Sequence, residues 1–159
     1  ADPAAFRQAI HGRIEAMARA QSTLAKTQWR GGTIAEVVRD ELASSISAGA
    51  RVRLAGGEIA LPADHLQPLS MILHELVTNA TKYGALSVRE GVLEVSWASA
   101  PQGWSLSWEE RGGPPVTAPS RSGFGSRLMA NLARQLDGQI VFDWDAAGLS
   151  VSLRAGAAA

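Results

Sequence analysis

From Asp2 to about Lys26, apolar residues return every three or four positions, at Phe6, Ile10, Ile14, Met17 and Leu24, behind an Asp2-Pro3 helix start. The spacing predicts a long amphipathic helix. Its stripe is expected to meet another helix that this chain does not contain. Trp29-Arg30-Gly31-Gly32 interrupts the pattern, and Thr33 is then expected to cap a shorter helix through Ile34, Val37, Val38 and Leu42. Residues 51–54 and 58–61 flank Ala55-Gly56-Gly57 and read as a hairpin. Asp64 is the expected cap of a third helix, with Pro68 near its first turn and Leu66, Leu69, Leu73, Leu76, Val77 and Ala80 along one face.

In the second half, apolar and polar residues alternate in four runs. These are Leu93, Val95 and Trp97; Trp104, Leu106 and Trp108; Ile140, Phe142 and Trp144; and Leu149, Val151 and Leu153. Such alternation describes a sheet with one dry and one wet face. A helix from Ser126 to Leu136, turning Leu128, Met129, Leu132 and Leu136 inward and stopping at Gly138, separates the second run from the third. The expected fold is a two-layer α/β sandwich with a mostly antiparallel sheet and helices on one face, preceded by the long amphipathic helix. Residues 155–159 are expected to fray.

The 159 residues suit one domain with an appended helix. Fifteen basic and fifteen acidic side chains cancel, so no global charge favours nucleic acid or an anionic membrane, and any anion site must be local. With no cysteine, disulfides and thiolate chemistry are excluded. No run approaches a membrane span and no signal peptide opens the chain, so a cytoplasmic segment without membrane contact is expected.

Three segments hold candidate chemistry. In HELVTNATKYGAL, residues 74–86, Glu75, Asn79 and Lys82 fall within an arc of about 60° at helical pitch, opposite the apolar stripe. A carboxylate and an amide oxygen suit Mg²⁺ and the ammonium suits phosphate, although the triplet taken alone favours a solvated helix face. In GFGSRLM, residues 123–129, glycines open a helix whose free N–H groups favour an anion. Ser126 could cap that helix or reach phosphate; an ordinary turn is the competing reading. In WEERGGPPV, residues 108–116, Glu110 shares a face with Trp104, Leu106 and Trp108. Buried there, its carboxylate needs a partner such as a ligand amine. Alternatively the strand ends at Glu109, or an arginine pairs with Glu110; Trp108 itself reads as core.

In this order the segments resemble the N-box, G1 box and G2 box of Bergerat-fold ATPases, the GHKL group. His74 with Trp108 and Glu110 resembles the signature of the HWE group of bacterial sensor histidine kinases, and residues 6–29 resemble that group's second dimerisation helix. The resemblance implies that Asn79 holds Mg²⁺ on the phosphates of ATP, with Lys82 and Tyr83 beside the nucleotide. Glu75 matches the general base, Glu110 takes the adenine amino group, Gly112 begins the turn beside the base, and Gly123, Gly125 and Ser126 cradle phosphate. His74 is placed with the catalytic residues as the group's marker, without a derived role.

The implied organisation is a residual dimerisation helix over residues 1–30, a catalytic domain over 31–155 and a disordered tail over 156–159. The implied reaction moves the γ-phosphoryl group to a histidine, then to an aspartate of a response regulator receiver domain. The phospho-acceptor helix is expected to be missing, because His11, His65 and His74 match no acceptor motif, so the chain is not expected to autophosphorylate; a homodimer through the N-terminal helix is compatible with the pattern. The second glycine of the usual G1 box is replaced by Pro114, and only residues 115–122 separate the glycine boxes, too few for a long lid. The competing functions are a serine kinase of the anti-sigma-factor type and a pseudokinase acting as an interaction module.

Overall fold

A computed structural model describes residues 2–26, 32–119 and 123–156. Helix α1 (Pro3–Lys26) leads through a short strand β1 (Gly32–Thr33) into α2 (Ile34–Ser47). Strands β2 (Arg51–Ala55) and β3 (Ala60–Leu61) precede the long helix α3 (Ala63–Lys82) and a 3-10 turn, Ala85–Ser87. Then come β4 (Val92–Ala100), β5 (Gly103–Arg111), α4 (Phe124–Gln135), β6 (Gln139–Asp145) and β7 (Gly148–Gly156). Trp29, Arg30, Gly31 and the side chain of Leu24 lie outside the described residues.

Five strands form one sheet in the order β2-β4-β5-β7-β6, antiparallel except where β2 runs parallel to β4. A parallel pair needs a crossover, and α3 supplies it. The alternation of the sequence becomes the two faces of this sheet. Leu93, Val95, Trp97, Trp104, Leu106, Trp108, Val151 and Leu153 are buried beneath the helices, joining Ile34, Val38, Leu42, Leu66, Leu69, Leu73 and Leu76 in one core. Thr33 caps α2 in a capping box with Glu36, each side chain bonded to the other's backbone N–H, a device that contributes about 1 kcal/mol.

The expected hairpin does not form. Strand β2 pairs with β4, β3 pairs instead with β1, and Trp97 sits across the intervening glycines. The Trp97 indole packs directly on Gly56, where any Cβ would clash, and donates to the Gly57 carbonyl at 2.9 Å. Other local expectations shift by a turn or less. Helix α3 starts from Pro62 without a side-chain cap, so Asp64 lies inside its first turn and Pro68 beyond it. Helix α4 starts two residues early, at Phe124, with Gly123 in the N-cap position, so Ser126 is not its cap. At its far end Asp137, with φ 50°, takes the left-handed position expected of Gly138. Ala155 and Gly156 do not fray; they pair with Trp104 and Gly103.

Helix α1 lies along α3 with Gly12, Arg13 and Ala16 inward. Its stripe of Phe6, Ile10, Ile14 and Met17 faces away from α3 and is exposed. Among the described residues, no helix is long and apolar enough to cross a membrane.

Candidate functional site

Glu110 stands on β5, on the dry face of the sheet, and is only 3% exposed. Neither alternative for it holds: the strand continues through Arg111, which pairs with Val92, and among the described residues no arginine meets the carboxylate. Arg111 turns instead to Glu109 at 2.8 Å and to the Glu110 carbonyl oxygen at 2.7 Å. The Glu110 carboxylate is held from two sides. The Ala85 N–H donates to Oε1 and the Trp108 indole N–H to Oε2, each at 2.9 Å. A carboxylate oxygen has two acceptor sites, so one on each remains for a ligand.

That arrangement explains why α3 stops at Tyr83-Gly84. The Gly84 Cα lies against Glu110 Oε1 and 3.1 Å separates an added Cβ from the Ala80 backbone, so no side chain fits there. The absence of a side chain at Gly84 lets the helix end pass over the carboxylate and present the Ala85 N–H to it. Gly112, with φ 72° and its Cβ direction closed by the Glu90 carbonyl, turns the chain away after β5.

A cavity of about 340 Å³ opens in front of Glu110. Asn79, Tyr83, Gly84, Gly123, Gly125 and Ser126 line it, together with the apolar Leu76, Met129, Phe142, Trp144 and Leu149. Asn79 is half-buried on α3, while Tyr83 is 70% exposed at the rim. Helix α4 points its N-terminus at this cavity without a side-chain cap, leaving first-turn N–H groups available to an anion. Apolar walls, a buried acceptor and a helix N-terminus are thus brought together from five elements, α3, β5, α4, β6 and β7.

Glu75, His74 and Lys82 lie around a second cleft of about 310 Å³ between α1 and α3. The polar face of α3 is therefore not simply solvated at this end. Glu75 is 7% exposed, with Oε1 2.7 Å from Nε of Arg13. The N–H is not aligned for a hydrogen bond, so the contact is an ion pair. Lys82 is exposed and has no ion-pair partner among the described residues. Thr78 and Thr81 return their hydroxyls to the α3 carbonyls of His74 and Val77.

His74 faces a buried polar cluster. Its Nδ1 lies 3.5 Å from Oε2 of Glu41 and 3.4 Å from Arg19 Nη2, and its Nε2 lies close over Gly12. Glu41 also accepts from Ser70 Oγ at 2.8 Å and pairs with Arg19 at 3.2 Å. Burial alone would raise the Glu41 pKa. Hydrogen bonds from His74 and Ser70, and the charges of Arg19 and His74, outweigh it and hold the carboxyl below its ordinary value. This histidine bridges α1, α2 and α3.

The sequence reading passed over Arg13, Glu41, Phe142 and Trp144. Glu41 could have been found as a carboxylate on the apolar side of α2, between Val38 and Leu42. Phe142 and Trp144 read as plain core because their alternation matches the other strands; in the fold they stack at 6.2 Å on the edge strand, half-buried at the cavity wall.

The family model for HWE histidine kinases matches residues 1–58. A blue-light-activated histidine kinase of Rhizobium johnstonii is 35% identical over 155 residues, covering 96% of this chain. The chain belongs to the HWE histidine kinase family. A Brucella ovis protein of the same description is 33% identical over 160 residues and 97% of the chain. This HWE family chain spans 44% and 33% of the lengths of those two relatives.

Among solved structures, the histidine kinase domain of Erythrobacter litoralis EL346 blue-light activated histidine kinase superposes with a TM-score of 0.75 at 14% identity, over 93% of this chain and 74% of that one. The ATP binding domain of PrrB from Mycobacterium tuberculosis gives a TM-score of 0.58 at 17% identity, over 80% and 96%. At these identities the likeness is one of fold. The HWE chain has the α/β fold of GHKL histidine kinase catalytic domains, with its long first helix alongside.

Proposed function

We propose that this chain is the ATP-binding catalytic domain, with part of a dimerisation domain, of a two-component sensor histidine kinase. The intact protein moves the γ-phosphoryl group of ATP to a histidine and onward to a response regulator aspartate. The reading places it in the cytoplasm, where ATP and the regulator are, and makes the exposed stripe of α1 part of a homodimer. The observation that carries the proposal is the buried Glu110 carboxylate, held by Trp108 and Ala85 with acceptor capacity left over, at the floor of a cavity that also contains Asn79 and the α4 N-terminus.

The chemistry of each residue follows from its place. Glu110 accepts from the adenine amino group; the apolar walls exclude water and make that hydrogen bond count. Gly123, Gly125 and Ser126 bring the α4 N-terminus against phosphate, and Lys82 and Tyr83 flank the nucleotide at the end of α3. Glu75 is the base of this reading, and Gly112 shapes the loop beside the adenine.

The donors fit Mg²⁺. Asn79 offers a hard amide oxygen into the cavity, and no cluster of three acidic or histidine ligands exists among the described residues. That suits an ion which keeps several waters and is held mostly by substrate phosphates. When bound, Mg²⁺ offsets the charge of the phosphate oxygens.

Binding separates this proposal from an interaction module. Glu110→Ala should weaken adenine nucleotides more than guanine nucleotides, and equal losses would place Glu110 outside a base pocket. If the unaltered chain does not bind Mg-ATP at millimolar concentration, the kinase reading fails.

A further inference from the structure

Arg13 belongs to α1, outside every segment in which candidate chemistry was found, yet it ends beside the proposed phosphate site. Its guanidinium carbon stands 4.5 Å from the ring centroid of Phe124, the first residue of α4, and its Nε is 2.7 Å from Oε1 of Glu75. The other Glu75 oxygen lies against the α4 backbone: a Cβ on Gly125 would come within 3.2 Å of it. Thus the Glu75 carboxylate sits between an arginine and an uncapped helix N-terminus, two groups that favour anions.

Two features show that the ion pair does not exhaust Arg13. The Nε atom is buried without a hydrogen bond, and among the described residues the guanidinium makes no hydrogen bond at all. Its rigid fork of five donors has capacity left. The second feature is charge. A carboxylate that close to the α4 N-terminus repels a triphosphate bound there, and Arg13 is the cation paired with it; both side chains are largely buried, at 14% and 10% exposure, so salt screens the pair little. Phe124 holds the guanidinium over the first turn of α4.

We infer that Arg13 is a γ-phosphate-contacting residue, supplied by α1 to the site built by α3 and α4 and shared between Glu75 and the terminal phosphate of ATP. The inference rests on the ATP-binding reading above. It makes α1 part of the nucleotide site rather than a passive neighbour. Docking α1 on α3 through Gly12, His74 and Arg19 then positions a cation where the transferred group ends, and the same docking makes affinity sensitive to the third phosphate.

Titration of Mg-ATP and Mg-ADP into the 159-residue chain and into Arg13→Gln tests it. The unaltered chain should prefer ATP to ADP, and Arg13→Gln should reduce that preference by about tenfold while leaving ADP affinity within about twofold. Glu75→Gln, which removes the competing anion and leaves α1 its guanidinium, should increase the preference. Equal losses of ATP and ADP in Arg13→Gln, or an unchanged ratio, would show that Arg13 only docks α1 and would overturn the inference while sparing the ATP site. A Glu75→Gln chain with an unchanged ratio would overturn it too, even if Arg13→Gln had released α1. Binding of neither nucleotide to the unaltered chain would remove the ATP reading itself.

Discussion

Trp108 and Glu110 stand two residues apart on one strand, on the same buried face, and the indole N–H of the first donates to the carboxylate of the second at 2.9 Å. The tryptophan of the Trp-x-Glu signature is therefore both a core side chain and the group that orients the acid. Removing the donor alone leaves a buried carboxylate oxygen short of a partner.

Trp108→Phe should accordingly cost about 1–3 kcal/mol of stability, read as a lowered urea midpoint. It should also narrow the difference in affinity between ATP and a purine nucleotide lacking the 6-amino group. Stability lost with that difference intact would make Trp108 packing alone.

Gly84→Ala places a methyl group on the Glu110 carboxylate. Since that carboxylate is pinned by two donors, the strain should lower stability by about 1–3 kcal/mol, as for other overpacked sites. Adenine affinity should fall while the fold persists. Far-ultraviolet circular dichroism with nucleotide titration checks both, and an alanine chain that binds ATP normally contradicts the pocket.

Asn79→Ala should abolish the Mg²⁺ dependence of nucleotide binding with little effect on folding, because Asn79 is half-buried at the cavity rather than in the core. Calorimetry with Mg²⁺ and with a chelator decides it; affinity that still rises with Mg²⁺ would remove the metal assignment.

Glu41 predicts an acid limb in stability. Its folded pKa is held below the ordinary value of 4.5, so the stabilisation is fully present above about pH 4.5 and is lost as pH falls through the lower folded value. Urea midpoints should drop below pH 4.5 in the unaltered chain. Glu41→Gln should start lower at neutral pH and lose less on acidification; parallel curves would exclude Glu41 as the titrating group.

Much of this was legible before the fold. The alternation at Leu93, Val95, Trp97 and at Trp104, Leu106, Trp108 specifies a one-sided sheet, since successive side chains must leave opposite faces. The same period puts Glu110 on the dry side. Capping by Thr33 is equally local, a matter of four consecutive residues. The partner of β2 is not local. Residues 51–54 and 58–61 look alike to a period-two reading, but the first pairs with β4 and the second with β1, while Trp97, forty residues on, rests on Gly56 and Gly57 between them.

The site divides along the same line. Chain order places Glu75, Asn79 and Lys82 on one side of a helix, and glycines ahead of another, because those are properties of helical pitch and backbone freedom. Which groups meet across elements is set by packing. Ala85 N–H on Glu110, Arg13 on Glu75, and His74 between Glu41 and Arg19 join residues 25 to 62 positions apart, too far for any local period to relate them. Periodicity decides which way a side chain faces, and the docking of α1, α3 and α4 around the sheet decides what it faces.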